Sequence, residues 1–227
     1  MTDFDKPDCI LFDLDSTLYS VRLGLEKSVS RRVNRYIAEY LGLPPEEAWA
    51  LRKERVTAAG YGTTLEWLRA EKNFNDPHII DEYFAFIHPE DEADGLGPDP
   101  HLRSLLLDLS ESMTLAILTN SPEEHAERIL AKLGIADLFP SIFGIRGNGL
   151  KGKPRPEVFR RALDSLKSSP RRCVFVDDVR RYAEFYRNMG GHGIFFDELN
   201  EHPEFPPPRI RRLDELPGVI EGIRSGS

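Results

Sequence analysis

The chain has 227 residues, a formal net charge of −8 at pH 7 and an isoelectric point near 5.4. This acidic balance argues against a protein that coats a nucleic-acid polymer or binds an anionic membrane surface. The composition is that of a globular protein, and no apolar stretch approaches the length of a membrane span. Cys9 and Cys173 each begin an apolar run, so we expect two buried free thiols and a cytoplasmic protein.

The first predicted strand is the apolar run Cys9–Phe12, and two carboxylates, Asp13 and Asp15, follow it directly. Side chains alternate along a strand, so both acids begin on the same side of the chain. Ser16 and Thr17 then favour a turn. Taken alone, two acids at the end of a strand cap a turn more often than they catalyse a reaction. Their role depends on what the rest of the chain brings to them.

Four predicted helices follow, without a convincing strand between them. The first carries an apolar residue at every fourth position from 25 to 41, which is typical of an amphipathic helix. The others are predicted in residues 44–60, 63–73 and 76–89. Residues 90–100 are acidic and rich in Gly and Pro, which predicts a linker. We therefore predict a separate helical unit, residues 19–96, inserted after the first strand.

From about residue 98 the pattern changes to alternating helices and strands. Strands are predicted in residues 113–119, 141–145, 172–178 and 192–196, with helices between them. This alternation predicts an α/β fold with a parallel sheet and helices on both faces. The strand at residues 9–12 must join that sheet, so residues 1–18 and 97–227 together form the predicted core.

Polar side chains follow the ends of three predicted strands. They are Asp13 and Asp15, then Thr119 and Asn120, then Asp177 and Asp178, with Lys153 ahead of a helix between the last two pairs. Each has an ordinary explanation on its own, as a helix cap, a turn residue or a solvated lysine. In an open α/β sheet, however, ligands bind at the carboxyl ends of the strands. Their joint placement therefore predicts one site.

This set of side chains suits phosphoryl transfer. Asp13 and Asp178 would supply oxygen ligands to magnesium, and the Asp13 carboxylate would attack phosphorus. Asp15 would protonate the leaving oxygen and later activate water, which requires surroundings that raise its pKa. Lys153, Thr119 and backbone N–H groups would stabilise charge on the phosphoryl oxygens.

The same residues resemble the motifs of the haloacid-dehalogenase superfamily of phosphohydrolases over almost the whole chain. The matching stretches, in order, are FDLDSTL, LTN, KGKPRPEVF and VFVDDV. The resemblance implies a Rossmann-like core with a helical cap inserted after the first motif. It implies these roles: Asp13 as nucleophile, Asp15 as general acid/base, Thr119 and Asn120 as phosphate contacts, and Lys153 as the charge-stabilising lysine. It also implies magnesium held by Asp13, the Asp15 carbonyl and Asp178, with Asp177 nearby.

Two finer resemblances bear on the substrate. Dehalogenating members of the superfamily lack an acid at the position of Asp15, so its presence favours phosphate esters. Segments of both cap and core also resemble the pyrimidine 5′-nucleotidase branch, among them DLDSTLY, AGYGTTLEWL, AFIHP, TNSPEEHAERIL and LGIADLF. This implies a small phosphorylated metabolite as substrate, a nucleoside 5′-monophosphate such as UMP or CMP. Ser16 and Tyr182 depart from that branch, which usually has Asn at the first position and Asn or Asp at the second.

Specificity is expected from the predicted cap, because the core handles only the phosphate. The candidate substrate contacts are Tyr19, Arg22, Tyr61, Thr63, Thr64 and His88. Tyr61 would stack on a base and Arg22 would meet a phosphate or carbonyl group, although Tyr61 between two glycines also fits a hinge. Two other functions stay open: a sugar phosphomutase, and a binding protein with a degenerate site, the latter motivated by Tyr182.

Overall fold

A computed structural model of the chain describes residues 6–58 and 60–225. The strands are β1 (Cys9–Phe12), β2 (Thr114–Leu118), β3 (Ser141–Phe143), β4 (Cys173–Asp177), β5 (His192–Phe196) and β6 (Arg209–Ile210). The helices are α1 (Leu25–Leu41), α2 (Pro45–Lys53), α3 (Thr64–Glu71), α4 (Pro77–Ile87), α5 (Pro100–Ser110), α6 (Glu123–Leu133), α7 (Pro156–Ser165), α8 (Arg180–Asn188) and α9 (Leu216–Ser225). Residues 1–5, 59 and 226–227, which belong to the predicted core ends and the second predicted helix, lie outside the described residues. Among the described helices, none has both the length and the apolar composition of a membrane span.

The six strands form one parallel sheet in the order β3-β2-β1-β4-β5-β6. Phe12 in β1 lies beside Ile117 of β2 on one side and Val176 of β4 on the other. The strand order reverses at β1, which makes its carboxyl end the topological switch point where ligands bind. The predicted α/β fold with a parallel sheet flanked by helices is confirmed, and the short strand β6 is an addition to it.

Helices cover both faces of the sheet. Ile10 and Phe12 pack on one face with residues of α5, α6 and α9, and Cys9 and Leu11 pack on the other with residues of α7 and α8. This two-sided burial explains why β1 is a continuous apolar run instead of an alternating one. Cys9 pairs in register with Cys173, and both are buried free thiols, as predicted.

The four helices between β1 and α5 bury an apolar cluster of their own, which we call the cap cluster. Ile37, Trp67 and Phe74 are fully buried in it. Ile145, from the loop after β3, also belongs to the cluster, so the cap packs on the sheet domain there. A π-helical turn, Glu54–Ala58, continues α2. The cap therefore sits over the carboxyl ends of the strands, where the predicted site residues lie.

Candidate active site

Lys153 lies at the centre of the part of the site that the strand ends form, which we call the floor. Its Nζ donates hydrogen bonds to Asp13 Oδ1 at 2.6 Å and to Asp177 Oδ2 at 2.7 Å, and the lysine is only 1% exposed. Thr17 Oγ1 donates to the other Asp13 oxygen at 3.2 Å. Burial alone would lower the pKa of Lys153, but the two carboxylates raise it, so the ammonium group stays charged. β1 and β4 are neighbours, which is why Asp13 and Asp177 reach the same lysine.

The carboxylates of the floor exceed the positive charge available to them. Asp13, Asp177 and Asp178 each offer an oxygen, and these atoms all lie within 4.8 Å of one another. Burial raises the pKa of Asp13 above its usual range, with Lys153 opposing and the neighbouring acids adding to the increase. Burial, Asp13 and Asp177 likewise raise the pKa of Asp178 well above its usual range. An acidic oxygen cluster of this kind fits a hard divalent cation.

Asp177 has little capacity left for such a cation. Besides the bond from Lys153, its Oδ1 accepts the backbone N–H of Val179 at 2.7 Å. Asp178, by contrast, accepts no hydrogen bond from any residue in the described ranges and lines the cavity above the floor. The donor set therefore favours Asp13 and Asp178 as carboxylate ligands, with Asp177 fixing the lysine.

Thr119 and Asn120 follow β2 and face the same floor. Thr119 Oγ1 accepts the backbone N–H of Ser121 at 3.0 Å. Asn120 Oδ1 accepts the backbone N–H of Lys153 at 2.7 Å, and its Nδ2 donates to the Tyr182 hydroxyl at 3.2 Å. Tyr182 is thus built into the floor beside Lys153, and Asn120 holds the lysine's backbone in place.

The cap touches the floor at Gly152. A Cβ atom there would lie 2.3 Å from Thr63 Cγ2 and 2.8 Å from Asn120 Oδ1, so the position accepts only glycine. The Gly152 N–H also donates to Glu66 Oε1 of α3 at 2.7 Å. The loop that carries Lys153 is therefore in direct contact with the cap.

Asp15 is held by three donors. Its Oδ1 accepts the Tyr19 hydroxyl at 2.6 Å and faces His125 Nε2 at 2.8 Å, and its Oδ2 accepts the Ser121 hydroxyl at 2.7 Å. Burial raises the pKa of Asp15, but His125 outweighs it and brings the pKa below its usual range. Burial lowers the pKa of His125, but Asp15 and Glu92 raise it to about 9. The expectation of a raised pKa at Asp15 is therefore wrong: at neutral pH the proton rests on His125.

A cavity of about 340 Å³ separates this floor from the cap. Its floor side is formed by Asp13, Asp15, Thr119, Asn120, Lys153 and Asp178, and its cap side includes Val29, Val33, Arg52, Thr63, Thr64 and Leu65. A larger, more open depression of about 790 Å³ lies against α1 and α2, and none of the predicted site residues lines it. Because the predicted site residues line the smaller cavity, that cavity is the candidate active site.

A cation, Arg52, forms part of the cap side of the cavity. Its Nε donates to Thr64 Oγ1 at 2.9 Å, and its Nη1 donates to Ser30 Oγ and to Asn34 Oδ1, both at 2.9 Å. All these partners are neutral, and within the described ranges no carboxylate lies within ion-pair distance of the guanidinium. Glu26, which lines the same cavity, instead accepts the Ser16 hydroxyl. Arg52 is therefore available to a carbonyl or anionic group in the cavity.

The family model described as haloacid dehalogenase-like hydrolase matches residues 7–190. The chain belongs to this family. The solved structure of the putative HAD-hydrolase YfnB from Bacillus subtilis, bound to magnesium, matches with a TM-score of 0.63 and 18% identity over 95% of this chain and 99% of that one. That likeness shows a shared fold.

Curated relatives of this haloacid dehalogenase-like hydrolase carry names of different kinds. It is 30% identical over 200 residues to phosphate metabolism protein 8 of Saccharomyces cerevisiae, covering 82% of this chain and 61% of the relative. It is 30% identical over 203 residues to the tyrosine-protein kinase PtkA of Mycobacterium tuberculosis, covering 84% and 61%. It is 26% identical over 228 residues to the glyceraldehyde 3-phosphate phosphatase of Pyrococcus furiosus, covering 93% and 92%. The chain thus spans 61% of the length of the first two relatives.

The structure brings most of the sequence-predicted residues of this chain to one cavity. Three of the six candidate cap contacts, Tyr19, Arg22 and Tyr61, however, do not line it. The Tyr19 hydroxyl donates to Asp15 Oδ1, and Tyr19 is not among the described lining residues. The Arg22 side chain is 69% exposed and pairs with Glu198 at 3.4 Å, and the Tyr61 hydroxyl donates to Glu71. The other three, Thr63, Thr64 and His88, line the cavity, and Thr63 also caps α3.

Two residues around Asp15 were not predicted. Ser121 precedes α6, which begins after Pro122 without a side-chain cap, and the Ser121 hydroxyl donates to Asp15 Oδ2. His125 lies in the first turn of α6, on the buried face that also carries Ile129. A histidine on the apolar face of an amphipathic helix is a sequence signal for a buried polar partner, and it could have identified His125.

Proposed function

We propose that this chain is a magnesium-dependent phosphatase that hydrolyses a small phosphate monoester, with nucleoside 5′-monophosphates as the substrate class. The observation that carries the proposal is Asp13, held by Lys153 at the switch point of the sheet, with Asp15 two residues further on. A nucleophilic carboxylate and a separate proton carrier are what hydrolysis through an aspartyl phosphate requires. The family and the phosphatase among the relatives support it.

The reaction divides between the two acids. Asp13 attacks phosphorus, the bond to the ester oxygen breaks, and Asp15 passes the proton of the Asp15–His125 pair to the leaving oxygen. Water then attacks the aspartyl phosphate, Asp15 accepts the proton of that water, and phosphate leaves. Lys153 stabilises charge at Asp13 throughout. Magnesium, held by Asp13 and Asp178, would neutralise charge on the phosphoryl oxygens.

The cap side of the cavity supports a substrate with a flat apolar body and outward carbonyl groups. Val29, Val33 and Leu65 provide apolar walls, and Arg52 provides a donor fork whose protein partners are all neutral. A pyrimidine base presents both features. The same guanidinium also favours a second candidate, a phosphate ester that carries a carboxylate or another anionic group at its far end.

The test is phosphate release from a panel of nucleoside 5′-monophosphates, sugar phosphates and phosphorylated small acids, with magnesium and with EDTA. We expect the highest kcat/KM for UMP or CMP, and loss of turnover in EDTA and in Asp13→Asn. Preference for a phosphorylated acid would support the second candidate. Isomerised sugar phosphate with little free phosphate would indicate a phosphomutase, and binding without turnover in the wild type would indicate a degenerate site.

A further inference from the structure

The side chain of His125 joins two buried carboxylates. Nε2 faces Asp15 Oδ1 at 2.8 Å and Nδ1 faces Glu92 Oε1 at 2.5 Å, and the ring is 1% exposed. Carboxylates only accept hydrogen bonds when they are ionised, so both ring nitrogens act as donors. The orientation of the ring is therefore fixed from both ends, and one of those ends is the acid that moves the proton.

Glu92 connects this ring to the cap. Its side chain is 2% exposed, although it lies in the segment between α4 and α5 that the sequence predicted as a linker. It accepts Arg32 Nη2 of α1 at 2.8 Å and contacts His88 Nδ1, at the end of α4, at 3.1 Å. Arg32 Nε also donates to the Ile87 carbonyl at 2.7 Å. Donors from the cap and from the core thus meet on one carboxylate.

Hydrogen bonds connect the cluster of His88, Glu92 and His125 to Asp15. The rings of His88 and His125 lie 4.1 Å apart between centroids, which packs the end of α4 against α6. The nearest atoms of His88, Glu92 and His125 lie within 4.8 Å of one another, a spacing that would also suit a metal ion. Each ring, however, already directs a nitrogen at Glu92, and His125 uses its other nitrogen for Asp15. The arrangement is therefore complete as a hydrogen-bonded chain.

We propose that His125 is the positioning residue for Asp15, and that Glu92 makes this positioning depend on the seating of the cap. The inference rests on the proposed function, in which Asp15 serves the leaving oxygen. With Tyr19 and Ser121 on its other sides, the Asp15 carboxylate cannot rotate while His125 stays in place. A displacement of about 1 Å at a reacting group costs up to about 100-fold in rate. Movement of Glu92 with the cap therefore changes the efficiency of proton transfer.

The test measures kcat/KM for two phosphate esters that differ in their need for a proton. p-Nitrophenyl phosphate has a leaving group that departs without protonation, whereas an alkyl phosphate requires it. His125→Leu is expected to lose about 100-fold on the alkyl phosphate and less than about 5-fold on p-nitrophenyl phosphate. His125→Gln is expected to recover part of the loss, because the Gln amide reaches the place of Nε2. Arg32→Gln and Glu92→Gln act from the cap side and are expected to give a smaller change of the same pattern.

His78→Leu is the matched control, since His78 lies in the first turn of α4 but is exposed. It is expected to match the wild type on both esters. Equal losses on both esters in His125→Leu, or none, would overturn the proposal. If His125→Leu does not fold, Glu92→Gln and Arg32→Gln decide by the same ratio. Wild-type activity no higher than that of Asp13→Asn would instead defeat the proposed function, so the two failures are distinguishable.

Discussion

The floor and the roof of the cavity treat charge in opposite ways. In the floor, Lys153 is 1% exposed and donates hydrogen bonds to both Asp13 and Asp177, so the lysine charge has fixed partners. In the part of the cavity that the cap forms, which we call the roof, Arg52 donates to neutral oxygens and, among the described residues, pairs with no carboxylate; Val29, Val33 and Leu65 line the same side. A floor with its own counter-charges is organised for one chemical group, the phosphate. A roof with an unpaired cation leaves its counter-group to the substrate, so the difference separates chemistry from selection.

The largest expected effect comes from breaking the floor. Asp13→Asn keeps the size of the side chain but removes the nucleophile, so we expect kcat to fall by at least about 1,000-fold with every substrate. Phosphate release measures this, and thermal unfolding checks that the variant folds. Asp91→Asn, an exposed acid after α4, is the control and should keep wild-type activity. Substantial turnover by Asp13→Asn would assign the attack to another group.

The contact of Glu92 with His125 and His88, which joins the cap to the core, should contribute measurably to the free energy of unfolding. Burial raises the pKa of Glu92, but His125 and His88 lower it to about 2, below the usual value of 4.5. A lowered pKa in the folded state stabilises the protein above pH 4.5, and this contribution is lost as the pH falls toward 2. Glu92→Gln should therefore reduce the free energy of unfolding by about 3 kcal/mol at pH 7.

Urea unfolding at pH 7, 5 and 3 checks this prediction. The gap between wild type and Glu92→Gln should narrow below pH 4.5, because protonation of Glu92 makes the two proteins alike. Glu82→Gln, on the exposed side of α4, is the control and should change stability little at any of these pH values. A gap that is constant with pH would mean that the carboxylate charge is not what joins the cap to the core.

Changes in the roof should affect selection more than chemistry. Arg52→Gln is expected to lower kcat/KM for the preferred substrate by about 10- to 50-fold, the effect of one charged hydrogen bond. The same variant should stay within about 3-fold of wild type on p-nitrophenyl phosphate, which has no group for Arg52. Arg52→Lys should recover only part of the loss, because lysine cannot bond Thr64, Ser30 and the substrate as a fork. Equal losses on both substrates would place Arg52 in the chemistry of the floor.

The carboxylates of the floor could be predicted from the sequence because they lie at the ends of strands. Asp13 comes one residue after β1, and Asp177 ends β4, so a parallel sheet brings them together whatever the rest of the chain does. The hydrogen-bonded chain from Asp15 through His125 to Glu92 could not be predicted in this way. Asp15 and His125 are 110 residues apart, and Glu92 and His125 are 33 apart. Which helix face meets which loop is decided by packing, and composition marked Glu92 only as a linker acid.

Local geometry explains why the predicted cap contacts were less reliable. Ser16 adopts a φ of 60°, so the chain turns sharply after Asp15. Tyr19, four residues after Asp15, then points its hydroxyl back at that acid instead of into the cavity. Residue type alone suggested a substrate contact, but the direction of the side chain depends on the course of the backbone after Asp15, which residue type does not reveal. Thr63 keeps its place because the close approach at Gly152 holds it against the floor.

The smallest effects are expected where the sequence alone predicted contacts. Arg22→Ala should change kcat/KM by less than about 2-fold, because the side chain is 69% exposed and a surface pair with Glu198 contributes about 0–1 kcal/mol. Tyr61→Phe removes only a hydrogen bond to Glu71 and should behave alike. Both variants are measured on the preferred substrate beside Arg52→Gln. A 10-fold loss in Arg22→Ala would mean that the turn after β1 swings over the substrate during turnover. Residues of that turn would then help to select the substrate together with the roof. The boundary between the residues of chemistry and those of selection would lie at residue 19 instead of at the cavity wall.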